Sequence, residues 1–148
     1  MRPRGGGPAM LAALEASKDF ADVPIGSTDK RVTVVIEFAT WCQPCKQELA
    51  LLDDARGRHP HVRWLGVSYK PHEEYDNRGG APQVAAFVAA TPWLRVIPTD
   101  EPLYTALGSP PFIPMLWVFD ANGVLVAKFS HQPPDASELE SLFTRLGG

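Results

Sequence analysis

Apolar positions fall into short runs of two kinds, and their spacing predicts the elements. Arg31 to Ala39 (RVTVVIEFA) and Val62 to Ser68 (VRWLGVS) are almost continuous stretches of β-branched and aromatic residues. Such runs predict strands covered on both faces. Between them, Pro44 to about Arg58 places Leu49, Leu52 and Ala55 on one helical face. Strand, helix, strand in this order predicts a βαβ unit with parallel strands. A second helix opens near Pro82, with Val84, Phe87 and Val88 at i, i+3, i+4. Leu94 to Ile97 reads as a short strand and Asp100 to Leu107 as a short helix. Met115 to Asp120 and Val124 to Ser130 are strands joined by Ala121-Asn122-Gly123. Asn-Gly is a strong hairpin signal, so this pair should be antiparallel. Asp135 caps a last helix with Glu138 three residues on. Leu139, Leu142, Phe143 and Leu146 form its apolar face, and Gly147 stops it. Met10 to Phe20 predicts a further helix with a weak stripe of Met10, Leu11 and Leu14. The polar run Lys70 to Gly80 (KPHEEYDNRGG) reads as a mobile loop. The order predicts an α/β fold with a mixed central sheet flanked by helices on both faces.

The 148 residues fit one domain, with residues 1–9 a flexible start. The 15 prolines and 12 glycines cluster between the periodic segments, as loops within a domain do. The net charge of -3 lacks the basic excess that nucleic acid or an anionic membrane calls for. No apolar run approaches the roughly 18–20 residues that would span a bilayer. Arg2 and Arg4 precede the apolar run Ala9 to Leu14, but that run stops at Glu15, short of the roughly 7–15 residues of a secretory h-region. Read as it stands, the chain is expected to be cytoplasmic; an export or anchor segment removed upstream would place it in the cell envelope.

The chemistry concentrates in Phe38-Ala39-Thr40-Trp41-Cys42-Gln43-Pro44-Cys45-Lys46-Gln47-Glu48, which holds both cysteines of the chain. Two cysteines make no disulfide framework, and a structural zinc site needs four ligands, with no second C-x-x-C to supply them. Cys42 falls where a strand ends and a helix begins. Unpaired N–H groups and the positive end of the helix dipole favour a thiolate there. Cys45 lies about a turn further on and is better shielded. The Cys42 thiolate can therefore attack a disulfide, and Cys45 can resolve the mixed disulfide. Pro44 suits the first helical turn, where its missing N–H costs nothing. Trp41 would shield the thiols and offer a surface to substrate. Trp64, Trp93 and Trp117 read as packing residues, Asp53-Asp54 as a solvated helix face, and His59, His61, His72 and His131 as scattered and mostly solvated.

WCQPCK with the strand before it resembles the thioredoxin superfamily. Within it, the sequence is similar to the TlpA/ResA-type reductases, which include the cytochrome-c maturation reductase CcmG. Three features carry this: Ala39-Thr40-Trp41-Cys42-x-Pro44-Cys45-Lys46-x-Glu48, the long insert after Ser68, and Ile113-Pro114 followed by Met115 to Gly123 with its Asp-x-x-Gly ending. The resemblance covers roughly residues 30–146. It implies a thioredoxin fold with an insert before the final hairpin and helix. It also implies reduction of protein disulfides, with electrons from a partner dithiol protein, and a location outside the cytoplasm. A monomer is expected. No organic cofactor is expected, because no dinucleotide fingerprint is present.

The resemblance further implies that Pro114 is a cis-proline facing the cysteine pair, with Ile113 offering backbone groups to an extended substrate. The residues alone do not choose this bond, and an ordinary trans proline opening an edge strand is the other reading. For the acid–base group, thioredoxins place a buried Asp six residues before the first cysteine. Here that position is Ile36, and the carboxylate is Glu37. If the strand is bulged or one residue shorter, Glu37 takes that role; otherwise it faces the opposite layer and Glu48 is the better candidate. Two readings of other classes compete with disulfide exchange. A soft-metal carrier could hold Cu(I) between two thiolates but would need a third ligand. A thioredoxin-like peroxidase would need a Thr-x-x-Cys setting in place of Trp-Cys.

Overall fold

The computed structural model describes residues 6–27, 30–130 and 134–147. Five strands form one sheet: β1 (Thr33–Glu37), β2 (Arg63–Tyr69), β3 (Arg95–Thr99), β4 (Met115–Phe119) and β5 (Leu125–Ser130), in the order β3-β2-β1-β4-β5. β1 pairs in parallel with β2 and β2 with β3; β1 and β4, and β4 and β5, are antiparallel. β1 is therefore central, which is why every one of its residues is buried.

Strand side chains alternate between two cores. Val34, Ile36, Trp64, Val96, Leu116 and Val118 face one side. There they meet α2 (Gln43–Arg56) and α6 (Ala136–Leu146) through Leu49, Leu52, Leu139 and Phe143. Phe87 and Val88 of α4 (Ala81–Ala90) pack onto the same layer. Val35, Leu65, Val67, Ile97, Trp117 and Phe119 face the other side. They are covered by Met10, Leu11 and Leu14 of α1 (Gly6–Glu15) and by Leu103 of α5 (Glu101–Ala106). Fully buried side chains such as Leu52 and Phe143 each contribute about 1.5–3 kcal/mol of transfer free energy. This alternation sets the layer in which each functional side chain lies.

The βαβ unit, the short strand and helix after residue 94, the hairpin and the last helix form as predicted, within two residues at their ends. The hairpin turn is closed by Asp120, whose Oδ1 accepts the N–H groups of Asn122 and Val124 at 2.9 and 3.0 Å. Gly123 adopts φ 80°, which its lack of a Cβ permits. β3 is an edge strand carrying Pro98, and Phe20 N donates to Val96 O across it at 3.0 Å.

Two expectations need correction. The first helix runs Gly6–Glu15, not Met10 to Phe20. It ends early because Asp19 turns the chain, its Oδ1 accepting from Ala21 N and Val23 N. Phe20 is consequently exposed. Lys70 to Gly80 is not a bare loop: it contains the short helix α3 (Lys70–Glu73) and a 3-10 turn (Tyr75–Asn77). Arg2, Arg4 and His131 lie outside the described residues.

The cap of α6 is a reciprocal capping box. Asp135 Oδ1 accepts from Glu138 N at 2.8 Å, and Glu138 Oε1 accepts from Asp135 N at 3.1 Å. Replacing Asp135 with Ala is expected to lower the unfolding free energy by about 1 kcal/mol, measured by urea denaturation.

Candidate active site

The chain leaves the C-terminal end of β1, turns through Ala39 and Trp41, and enters α2. Cys42 is the N-cap of α2, with extended backbone (φ -80°, ψ 113°), and Cys42 Sγ accepts the Cys45 backbone N–H at 3.2 Å. Gln43 and Pro44 occupy the first turn, so α2 starts one residue before the predicted Pro44. The two cysteines form a disulfide, with Cα atoms 5.2 Å apart, inside the range that bridging requires. Cys42 is 4% exposed and Cys45 0%, while Gln43 and Pro44 stand in solvent. The outer cysteine and the sheltered one are thus distinguished by position alone.

Glu48 lies on the face of α2 that also carries Cys45, Leu49, Leu52 and Ala55. One turn from Cys45, it is 1% exposed, and its Oε2 has no hydrogen-bond partner. Burial pushes its carboxyl up to about 7. Glu37 sits elsewhere. β1 is not bulged against its neighbours, so Ile36 faces the thiol layer and Glu37 the opposite one. Fully buried there, Glu37 meets His72 Nδ1 with its Oε2 at 2.7 Å, and its Oε1 is unpartnered. Burial pushes the Glu37 carboxyl up, and the hydrogen bond and charge of His72 draw it partly back. Tyr69, stacked on Tyr104 with centroids 3.7 Å apart, packs edge-on against His72.

Trp41 is half-buried at the end of α3. Its indole Nε1 donates to the carbonyls of His72 (3.1 Å) and Glu73 (2.8 Å). The ring of Tyr75 lies 6.1 Å away, and the Arg78 guanidinium lies 5.3 Å above the indole. The Ile113–Pro114 bond is cis. Because Met115 pairs with Glu37 in the antiparallel register, Pro114 stands at the same end of the sheet as Cys42. Ile113 is half-buried against the thiol-side core, and Phe112 beside it is exposed.

Reading the sequence alone missed His72 and Glu73. His72 is not a solvated histidine, and Glu73 is 2% exposed, its carboxylate accepting from Thr40 N at 2.8 Å and from the Thr40 hydroxyl. Pro71 directly after a strand signalled a helix start at this point. His59 is also buried, bonded to Glu140 at 2.9 Å and packed on Phe143. Trp64 and Trp117 are core residues, and Trp93 packs at the core's margin. Among the described residues, no three His, Cys, Asp or Glu side chains are grouped to hold a metal ion, and no helix is long and apolar enough to cross a membrane.

No family model and no curated relative matches this sequence. Solved structures do. A thioredoxin-like protein from Aeropyrum pernix superposes with a TM-score of 0.73 at 15% identity, over 91% of both chains. A thiol:disulfide interchange protein of the thioredoxin family from Chlorobium tepidum gives 0.71 at 18% identity, over 88% of this chain and 91% of its own. A secreted Mycobacterium tuberculosis disulfide oxidoreductase, homologous to E. coli DsbE, gives 0.71 at 16%, over 91% and 98%. The chain has the thioredoxin fold, with a disulfide-bonded C-x-x-C pair at the start of its second helix.

The raised carboxyl of Glu48 has a measurable signature. Between about 4.5, its ordinary value, and about 7, the unfolded chain releases a proton that the folded protein keeps. This share of the stability is complete below that window and is lost as pH rises through it. Glu48→Gln should remove a slope of at most about 1.4 kcal/mol per pH unit, seen as the difference between wild-type and variant urea unfolding across this window.

Proposed function

We propose that this protein is a thiol–disulfide oxidoreductase of the TlpA/ResA type that reduces protein disulfides. The observation that carries the reading is Cys42 at the N-cap of α2, receiving the Cys45 N–H and bonded to a cysteine with no exposure. The thioredoxin fold and the interchange and oxidoreductase names of its structural neighbours support it.

In the reduced state, the Cys42 thiolate attacks one sulfur of a substrate disulfide. A mixed disulfide forms and the other substrate sulfur leaves as a thiolate. Cys45 then loses its proton and attacks Cys42 Sγ, releasing the second substrate thiolate and forming the Cys42–Cys45 disulfide. Two electrons have passed to the substrate. Glu48, buried on the Cys45 face, is the proton acceptor in this scheme, because a carboxyl held near 7 can take and return a proton at neutral pH. Glu37 is not that acceptor, since it lies across the sheet. Trp41, Pro44, Ile113 and Pro114 form the substrate face around Cys42. A partner dithiol protein re-reduces the pair, and no organic cofactor is required.

Cys42→Ser should abolish reduction of insulin by the protein. Cys45→Ser should accumulate a mixed disulfide with substrate, visible on non-reducing gels. Full activity in the Cys42 variant would refute the reading. The direction of catalysis is checked by the equilibrium potential of the pair against glutathione, which should lie at the reducing end of the range of about −270 to −120 mV spanned by proteins of this kind.

A further inference from the structure

The segment after β2 grips the chain just before Cys42, and every contact in that grip is specific. The Glu73 carboxylate takes both polar groups of Thr40, the backbone N–H at 2.8 Å and the side-chain hydroxyl. The carbonyls of His72 and Glu73 take the Trp41 indole. His72 is itself tied to Glu37, a residue of the central strand, at 2.7 Å. Gly79 closes over the carboxylate so tightly that a Cβ there would collide with Glu73 Oε2 and approach the Glu73 carbonyl oxygen to 3.0 Å. A buried carboxylate that spends its oxygens on a backbone N–H two residues before the nucleophile is well suited to fixing that backbone.

The geometry points to Glu73 as a positioning residue for thiol–disulfide exchange. It holds the Thr40–Trp41 corner, with His72 anchored on Glu37, and thereby sets the direction of the Cys42 side chain and its hold on the α2 N-terminus. Glu73 touches neither sulfur nor substrate in this role. It acts through Thr40, and the turn Lys70 to Gly79 serves as its mount. The proposal rests on Cys42 being the nucleophile.

The test uses four variants of the reduced protein. Glu73→Ala deletes the carboxylate. Gly79→Ala pushes it aside without altering it. Thr40→Val removes only the hydroxyl. Glu73→Gln retains an acceptor for Thr40 N. Each is read by the rate of Cys42 alkylation with iodoacetamide as a function of pH, by kcat and KM on a disulfide substrate, and by melting temperature. Glu73→Ala and Gly79→Ala should move the Cys42 titration to higher pH and cut kcat about ten- to a hundredfold, the scale on which small misplacements act. Glu73→Gln should recover most of the loss. Should the first two fail to fold, Thr40→Val, nearly the same shape, must still shift the alkylation profile. A lowered melting temperature with an unchanged Cys42 profile in the folded variants overturns the proposal and leaves Glu73 a structural residue. The alkylation profile needs no disulfide substrate. It therefore judges this proposal even if the wild-type protein reduces none, an outcome that would sink only the proposed function.

Discussion

The contact on which the site depends is the backbone N–H of Cys45 meeting the sulfur of Cys42 at the mouth of α2. It exists because the most buried strand of the sheet ends five residues earlier and the chain must turn into a helix there. A side-chain acceptor is favoured at such a point, and ordinary proteins use Ser, Thr, Asp or Asn. Here sulfur does that work. Unpaired N–H groups that want an oxygen also favour a thiolate, so the site of capping is where a reduced Cys42 would be stabilised. The helix that provides it is fixed by Leu49, Leu52 and Ala55 against the sheet and by α6 behind it.

The sheet then sorts the charged groups. Three carboxyls are buried near this end of the molecule: Glu73 is spent on Thr40, and β1 separates the other two. Glu48 shares a helix face with Cys45 and has no polar partner on its Oε2. Glu37 shares its layer with His72, Tyr69 and Tyr104. One is left proton-hungry beside the sheltered cysteine; the other is spent on holding α3 in place. A β1 register shifted by a single residue would turn Glu37 to the thiol side of the sheet.

Much of this was legible in the chain. Period and composition were enough for β1, β2, the hairpin and the last helix, because their apolar faces are long and their turns carry Asn122-Gly123 and Asp135. The cysteine pair was legible because a strand run abuts it. The choice between Glu37 and Glu48 was not, since it turns on the face of one strand residue, which pairing with β2 and β4 decides. The Lys70 to Gly80 segment was misread for a related reason. Its residues are polar, and what orders them is Thr40, Trp41 and Glu37, all more than thirty positions away. The early end of α1 was hidden as well, in a local contest that the Asp19 side chain wins over helix continuation.

The rim strand β3 bears on how the molecule behaves in a crowd. An unpaired strand border offers a row of donors and acceptors to any passing chain. On this border Pro98 has no N–H to lend, and the Val96 carbonyl is already taken by the backbone of Phe20. A neighbouring polypeptide would find the ladder interrupted at two adjacent rungs, so this side of the molecule is a poor template for runaway fibre growth.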